Sequence, residues 1–319
     1  MEIYSQRKYG CLPPTFDPAL KFEQFWTKEM PDIPVAVDHL DLFETWNVLG
    51  NDRYGNCVAV AAANYSRIVT QALAGVEDYP TMDEVTELYK TQNARFPRQD
   101  GGMNIQSMLN WWSKNSWSGR KVVAYAAINY RNLPELKAAI AIFGGVLPGI
   151  TVTSANHPQF SQGKPWDYSR GDRSQGGHCI VAAGYKGNPK DQVTFVTWGR
   201  ETSFTDAYIA SKWNECWVAI LPEHLGNAAF LQGVDISKLA EHYRSLTGKE
   251  LPIPPQPIPN PQPIPNPRPI PIPIPIPNPI PNPIPDPIVS PDPPTPIVVG
   301  SEWYVSEQSD QEIILRKLA

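Results

Sequence analysis

Cys57 stands where a tight polar turn runs into an apolar stretch, in the sequence LGNDRYGNCVAVAAANY. The alanines and valines after it predict a buried helix that runs to about Ala74 and stops at Gly75. Asn56 suits the N-cap, because its side-chain oxygen can accept from the first free N–H groups. A thiol on the first turn feels the positive end of the helix dipole, which favours the nucleophilic thiolate. The stretch indicates a reactive cysteine, although a free cysteine is more commonly a small buried hydrophobe.

A thiol nucleophile needs a base, a group that orients the base, and donors for the oxyanion. Among the five histidines, His178 is the best placed for the base, since it follows two glycines and starts the apolar strand CIVAAGY. The other four are more readily interpreted as surface or packing residues: His39, His157, His224 and His242.

Together these residues resemble the papain-like cysteine peptidases. In that family a cysteine begins the central helix, a glutamine six positions earlier supplies the oxyanion hole, and a distant histidine precedes an Asn-Ser-Trp-Gly motif. Cys57 and His178 match the nucleophile and the base, and Asn51 stands at the glutamine position. Thr197-Trp198-Gly199 matches the end of the last motif. The resemblance covers about residues 1–225 and implies a peptidase that acts on peptide or protein substrates.

Within that family the chain looks most similar to bacterial and phage papain-fold proteins that share LGND-x-x-G-x-C, GKPWD, GGH and TWGR. Val196 stands where papain has its orienting asparagine. Thr197 could orient His178 through its hydroxyl, or it could be an ordinary strand residue. Trp198 could shield that contact, and Glu215 in WNECW is an alternative orienting group.

Helices come early in the chain and strands late, which predicts an α+β fold with an antiparallel sheet. With the resemblance, this becomes a two-lobed papain-like fold: a helical lobe around the Cys57 helix and an antiparallel sheet lobe. Further helices are predicted from the Thr81–Glu84 capping box to about Asn93, and over Met103–Lys114, Asn132–Phe143 and Asp235–Thr247. Strands are predicted at Lys121–Ile128, Val146–Val152, Gly177–Ala183, Gln192–Thr197 and Trp217–Leu221. Ser154–Asp172 is predicted to be a polar loop.

Composition divides the chain into four parts. Residues 1–50, rich in proline and aromatics, predict an extended arm on the surface of the core with one short helix near Ala19–Lys28. The resemblance implies that residues 51–250 form a papain-like domain. From Pro255 to Pro287 every second residue is proline, so residues 251–296 predict a polyproline II spacer. The alternative, a ligand for an SH3-like groove, is less favoured because Arg268 is the only cation inside the tract.

The C-terminal tail, residues 297–319, is too short to bury a core of its own. Ser309 and Glu312 have capping-box spacing, which predicts a last helix that carries Ile313, Ile314, Leu315 and Leu318. Its apolar face needs a partner, so we expect the tail to dock on another protein or on another copy of the chain. A spacer that ends in such a peptide would suit an anchor to a larger assembly, such as a virion or a cell surface.

Charge, cysteine spacing and hydropathy argue against several classes of function. The net charge is −5 with no basic block, which argues against nucleic-acid binding. The four cysteines form no C-x-x-C pair, so neither a zinc site nor a disulfide scaffold is indicated. No apolar run has the length of a membrane span, and the first ten residues lack the apolar core of a signal peptide. No metal or organic cofactor is implied. Two hypotheses remain: a cysteine hydrolase, and a catalytically weak or inactive papain-fold protein that binds or tethers.

Overall fold

The computed structural model describes residues 7–15, 33–187, 192–247, 250–251, 297–298, 303–308 and 313–317. The chain divides into two compact units, Met1–Ile258 and Pro259–Ala319. The predicted helix near Ala19–Lys28 and the proline tract lie outside the described residues.

In the first unit, a short 3₁₀ helix at Leu40–Leu42 precedes the α-helices. The helices are α1 (Cys57–Ala74), α2 (Met82–Lys90), α3 (Ile105–Lys114), α4 (Leu133–Phe143), α5 (Asn156–Ser161), α6 (Asp206–Lys212), α7 (Pro222–Leu225), α8 (Ala228–Gly233) and α9 (Ile236–Thr247). The strands are β1 (Val37–Asp38), β2 (Ala124–Ala127), β3 (Leu147–Thr153), β4 (Ser174–Cys179), β5 (Val181–Tyr185), β6 (Val193–Thr197), β7 (Arg200–Phe204) and β8 (Trp213–Ile220). Among the described residues, no helix has the length and hydropathy that crossing a bilayer requires.

Helix α1 begins at Cys57 and ends at Ala74, as predicted, and Gly75 terminates it in a left-handed conformation (φ 68°). The prediction that the Asn56 side chain caps α1 is wrong. Its Nδ2 instead donates to the Leu49 carbonyl at 2.9 Å, which ties the preceding turn together. The side chains of α1 are buried from Cys57 to Thr70, because small alanines let neighbouring elements pack on every side.

Helix α2 has the predicted capping box: Glu84 N–H donates to Thr81 Oγ1 at 3.3 Å and Thr81 N–H donates to Glu84 Oε2 at 2.7 Å. Helix α3 starts two residues later than predicted, because Asn104 is its N-cap and accepts from Ser107 N–H at 2.8 Å. Met103 is therefore left in extended backbone, where it pairs with the N-terminal residues of the chain.

The strands of the first unit form two antiparallel four-stranded sheets, ordered β1-β5-β6-β7 and β2-β8-β3-β4. The predicted strand Gly177–Ala183 is two strands in different sheets, β4 and β5, which meet at Ile180. The predicted polar loop Ser154–Asp172 contains the short helix α5. Strand β7, with the sequence RETSF, was not predicted, because the strand lacks an apolar face and only Ser203 and Phe204 are buried.

Two buried hydrophobic clusters correspond to the two expected lobes. One surrounds α1 and includes side chains of α2 and α3, such as Leu88 and Trp112. The other joins α4 to the strands and holds the aromatic residues Trp166, Phe195 and Phe204. The α+β class and the antiparallel sheets are confirmed.

The second unit contains three antiparallel strands in the order β11-β10-β9: β9 (Ile297–Val298), β10 (Trp303–Gln308) and β11 (Ile313–Lys317). The predicted last helix is therefore wrong. Ile313 pairs with Gln308 and Ile314 with Glu307 across the sheet. β-Branched residues favour this extended pairing, and the capping-box spacing before them is only a local signal.

Candidate active site

The sulfur of Cys57 lies at the N-terminus of α1, where this helix packs against β4 and β5. Backbone N–H groups of Cys179, Gly10 and Val58 point at it. Cys179 directly follows His178, so the fold brings the sulfur next to the backbone that carries the predicted base. The residue is 1% exposed.

The thiolate predicted from the helix position is not the form that this environment favours. Burial raises the pKa of the Cys57 thiol to about 11, and the surrounding N–H donors only partly offset that rise. The helix dipole and the N–H groups stabilise negative charge, but the loss of solvation is larger in a fully enclosed site.

His178 lies near the end of β4 and is also 1% exposed. Its Nε2 and the Thr197 hydroxyl are 2.8 Å apart, a buried hydrogen bond that fixes the plane of the ring. Within the described part of the chain, Nδ1 has no hydrogen-bond partner. Burial lowers the pKa of His178 to about 3, with a smaller contribution from the charge of His157. The thiol and the imidazole are thus both neutral in this structure.

Trp198 and Gly199 form the two-residue turn between β6 and β7, where Thr197 pairs with Arg200. Both turn residues have positive φ, 47° and 75°, as tight hairpins of this kind require. A bulky residue rarely adopts this conformation, so the turn is a strained position. It places the indole in a stack on His178, with ring centroids 4.7 Å apart and planes 23° apart. Trp198 thereby encloses the His178–Thr197 contact.

The side chains of Glu215 and Asn51 form hydrogen bonds with groups other than His178 and Cys57. Glu215 Oε2 accepts from Trp217 Nε1 at 2.6 Å, and its carboxylate packs on Gly149, while Thr197 makes the hydrogen bond to His178. Asn51 is buried in the turn before α1, and its Nδ2 donates to the Tyr54 carbonyl at 3.1 Å. That bond uses one of the two N–H groups of the amide.

Residues 7–15, which we call the covering segment, pass through the cleft between α1 and the sheet. Cys11 N–H donates to the Gly177 carbonyl at 3.0 Å, and Met103 N–H donates to the Gly10 carbonyl at 2.7 Å. Leu12 N–H donates to the Met103 carbonyl at 2.8 Å, and Cys11 forms a parallel β-bridge with Met103. Lys8 and residues 12–15 are exposed and the rest of the segment is half-buried, so the segment lies on the core and covers the site.

Close approach in the cleft depends on glycine at two positions. A Cβ added to Gly10 would lie 1.8 Å from the Gly55 carbonyl oxygen, and one added to Gly177 would lie 2.2 Å from the Cys11 carbonyl oxygen. Real Cβ atoms do not come this near to backbone, so neither position accepts a side chain without displacing the segment.

Tyr9 and His157 also belong to the site, although no feature of the sequence marks them as part of it. The Tyr9 ring meets His178 edge to face at 6.1 Å, and its hydroxyl hydrogen-bonds His157 Nε2. His157 stacks on Trp198, with centroids 5.6 Å apart, and Arg7 lies 4.9 Å above the Trp198 ring. No spacing rule links these positions. They meet because α5 and the β6–β7 turn pack together, which only the three-dimensional structure shows.

The four cysteines are free thiols. Among the residues that the structure describes, no three His, Cys, Asp or Glu side chains form a cluster that could hold a metal ion.

No protein-family model matches the chain, and no curated protein shows significant similarity to it. Solved structures do match. Xylellain, a cysteine protease from Xylella fastidiosa, superposes with a TM-score of 0.53 at 14% identity, over 69% of this chain and 98% of that one. The chain has a papain-like fold. Procathepsin B from Trypanosoma congolense also matches, with a TM-score of 0.47, 11% identity, and coverage of 68% of this chain and 88% of that one.

The papain-like fold agrees with the fold class predicted from the sequence. The suggested kinship with bacterial and phage proteins that share the four short motifs stays a prediction.

Proposed function

We propose that this chain is a cysteine hydrolase of peptide or related amide bonds. Cys57 attacks the carbonyl carbon, His178 takes the thiol proton and returns it to the leaving amine, and water hydrolyses the acyl-thioester. The observation that carries the proposal is the position of the sulfur. It lies at the start of α1, against the backbone beside His178, whose ring is held by Thr197.

The neighbouring residues have complementary roles in this proposal. Thr197 orients the imidazole through the 2.8 Å hydrogen bond, and Trp198 shields that bond from water. Asn51, with one amide N–H already used by Tyr54, joins the Cys57 N–H in stabilising the oxyanion. Glu215 is not needed as an orienting group, because its hydrogen bond goes to Trp217.

Substrate entry requires that the covering segment leave the cleft, because the backbone N–H of Gly10 contacts the Cys57 sulfur. Its departure would rehydrate Cys57 and His178. The pKa of the thiol would then fall and the pKa of the imidazole would rise, toward the thiolate–imidazolium pair that attacks readily.

The experiment is labelling of the full chain with an iodoacetamide or epoxysuccinyl reagent, with the modified residue read by peptide mass spectrometry. We expect selective labelling at Cys57 that His178→Ala abolishes. Cys216→Ser is the matched control, since Cys216 is an equally buried free thiol that lines a different part of the core. Cys57 reactivity equal to that of a free cysteine and indifferent to His178 would argue against the hydrolase.

A second candidate function is binding or tethering without turnover. It is favoured by the separate unit Pro259–Ala319, which contains most of the proline tract, a segment that suits a spacer, and ends in three strands of its own. In this proposal the unit docks on a larger assembly, such as a virion or a cell surface. Deletion of residues 252–319 should then abolish incorporation while the first unit stays folded. Incorporation of the truncated chain would refute the tether.

A further inference from the structure

Asp100, an exposed residue in the loop between α2 and α3, is hydrogen-bonded to the turn that leads into the nucleophile. The backbone N–H of Gly55, two residues before Cys57, donates to both carboxylate oxygens of Asp100 at 3.0 Å. Gly55 is buried, and a buried N–H group without an acceptor is costly. A charged acceptor also forms a stronger hydrogen bond than a neutral one. Asp100 therefore ties this loop to the start of α1.

The carboxylate of Asp100 is itself held by side chains of α2 and of the residues that follow it. The Tyr89 hydroxyl, buried on α2, donates to Asp100 Oδ1 and accepts from the Gly102 N–H at 3.0 Å. Asn93 accepts from the Gly101 N–H at 2.8 Å, and its Nδ2 donates to the Gly102 carbonyl at 2.7 Å. The backbone that carries Asp100 is therefore fixed to a packed helix, which gives the carboxylate a defined position.

Glycine at position 55 allows this contact. A Cβ there would lie 3.1 Å from Asp100 Oδ1 and 3.2 Å from the Tyr9 carbonyl oxygen. Both distances are tighter than ordinary van der Waals contacts, so a side chain would displace the carboxylate or the covering segment. The absence of a side chain lets the N–H group of Gly55 reach Asp100 while the covering segment is in place.

One peptide group joins Asp100 to Asn51. Asn51 Nδ2 donates to the Tyr54 carbonyl at 3.1 Å, and Tyr54 directly precedes Gly55 in the chain. The carbonyl of Tyr54 and the N–H of Gly55 belong to the same peptide unit, which is planar. Its oxygen accepts from Asn51 and its N–H donates to Asp100, so a rotation of this plane would redirect the Asn51 amide.

We propose that Asp100 is a positioning residue for the oxyanion hole, and that it acts on Asn51 through the Tyr54–Gly55 peptide group. The inference rests on the proposed hydrolase function and adds the residue that sets the direction of its oxyanion donor. With the plane held from both sides, the second N–H of the Asn51 amide keeps its direction toward the substrate carbonyl oxygen. Without the carboxylate, the Gly55 N–H turns toward another acceptor, and the donor misses the charge that develops on that oxygen.

The test is a double-mutant cycle on kcat in the full chain, with a peptidyl aminomethylcoumarin that the wild type cleaves. Asp100→Ala should lower kcat about 30-fold and change KM by less than about twofold, because the lost interaction forms in the transition state. Asn51→Ala should lower kcat about 100-fold. Since Asp100 acts through Asn51, adding Asp100→Ala to Asn51→Ala should cost less than about threefold more. Two effects that multiply would overturn the proposal.

Three further variants separate positioning from damage to the fold. Asp100→Asn keeps an oxygen for the Gly55 N–H and should restore kcat to within about threefold of the wild type. Asp52→Ala removes a carboxylate of the same turn, which pairs with Arg53 at 3.8 Å, and should leave kcat unchanged. If Asp100→Ala fails to fold, Tyr89→Phe removes the hydroxyl that holds Asp100 and should lower kcat about fivefold, again only when Asn51 is present. A wild-type kcat in Asp100→Ala or Tyr89→Phe would contradict the proposal.

Hydrogen exchange separates this proposal from the hydrolase proposal. In the full chain, the Gly55 amide proton, followed by NMR, should exchange at least about tenfold faster in Asp100→Ala than in the wild type or in Asp100→Asn. Fast exchange in Asp100→Ala together with a wild-type chain that cleaves no peptide would refute the hydrolase and keep the hold of Asp100 on the peptide group. Equal exchange in Asp100→Ala and the wild type would refute the positioning role, whether or not peptides are cleaved.

Discussion

At the residue scale, the site holds a neutral thiol and a neutral imidazole, and the sulfur lies against the backbone of Cys179, next in sequence to His178. Enclosure by Gly10, Tyr9 and Trp198 moves the two pKa values apart, to about 11 for Cys57 and about 3 for His178. The residue types and their elements could be predicted from the sequence, because a turn before an apolar helix and a strand led by two glycines are local signals. The pKa values could not, because they depend on burial by residues distant in the sequence.

Substitution of Thr197 tests directly whether its hydroxyl orients the His178 ring. Thr197→Val removes the hydroxyl and keeps the shape, so His178 loses a hydrogen bond of about 1 kcal/mol and labelling of Cys57 should slow about fivefold. Thr197→Ser retains the hydroxyl and should label at close to the wild-type rate. The measurement is the second-order rate constant with an epoxysuccinyl reagent. Equal rates in the valine and serine variants would assign Thr197 a packing role only.

The lowered pKa of His178 also predicts how the free energy of unfolding depends on pH. Its pKa is about 3 in the folded chain and about 6.5 when unfolded, so the unfolded state binds the proton first as the pH falls. The free energy of unfolding should therefore drop between these two pH values, by up to about 1.4 kcal/mol per pH unit. His178→Gln, which does not titrate, should show a shallower decline.

Urea unfolding of both chains at pH 7, 6 and 5 measures this difference. Contributions of the other ionisable groups, including Glu215, cancel in the comparison when the fold is unchanged. A wild-type decline that runs parallel to that of His178→Gln would mean that the imidazole is not enclosed in solution.

At the element scale, the predictions that rest on neighbouring residues agree with the structure, and the one that depends on partner strands does not. The Gly75 stop of α1 and the Thr81–Glu84 box of α2 are specified by neighbouring residues, and both are found as predicted. The strand over Gly177–Ala183 was predicted as one unit, yet Ile180 divides it between two sheets. Such a division depends on which partner strands lie alongside. Likewise, the turn at Trp198 lacks the usual Asn-Gly signal, so β7 escaped prediction.

The covering segment depends on Gly10, which provides a test by one substitution. Gly10→Ala places a methyl group against the Gly55 carbonyl, so the segment should leave the cleft. Cys57 then regains solvent, its pKa falls, and labelling at pH 7 should rise at least about tenfold. The measurement is the labelling rate of the full chain at fixed reagent concentration.

Gly187→Ala is the control for that substitution, because a Cβ there meets no atom within 4 Å. Its labelling rate should equal that of the wild type. An unchanged rate in Gly10→Ala would show that the segment does not limit access to the thiol.

At the scale of the whole molecule, the chain consists of a papain-like unit and a second unit with its own strands. From the sequence, the abrupt change to proline predicts a boundary at residue 251, since alternate prolines cannot continue a helix or a central strand. The two units divide at Pro259, inside the proline tract, and the separate spacer and tail stay predictions. The path of residues 7–15 was not predictable. Nothing in YGCLPP signals a cleft, and the contacts with Gly55, Met103 and Gly177 join positions far apart in the sequence.

Removal of residues 259–319 should leave the first unit intact. Among the described residues, its hydrophobic clusters include none beyond Leu251, so we expect a melting temperature within about 2 °C of that of the full chain, as for a change away from the core. Differential scanning fluorimetry and the labelling rate of Cys57 check this. A large fall in melting temperature would show that the first unit depends on the removed residues.

The orientation of the Gly10 backbone bears on whether Cys57 could cleave its own chain. A thiolate adds to the carbon of a carbonyl group, and the group that Gly10 directs at the sulfur is an amide N–H. In the proposed hydrolase, a segment held in that way would fill the cleft without offering a carbonyl carbon to the thiol, so it would stay uncut.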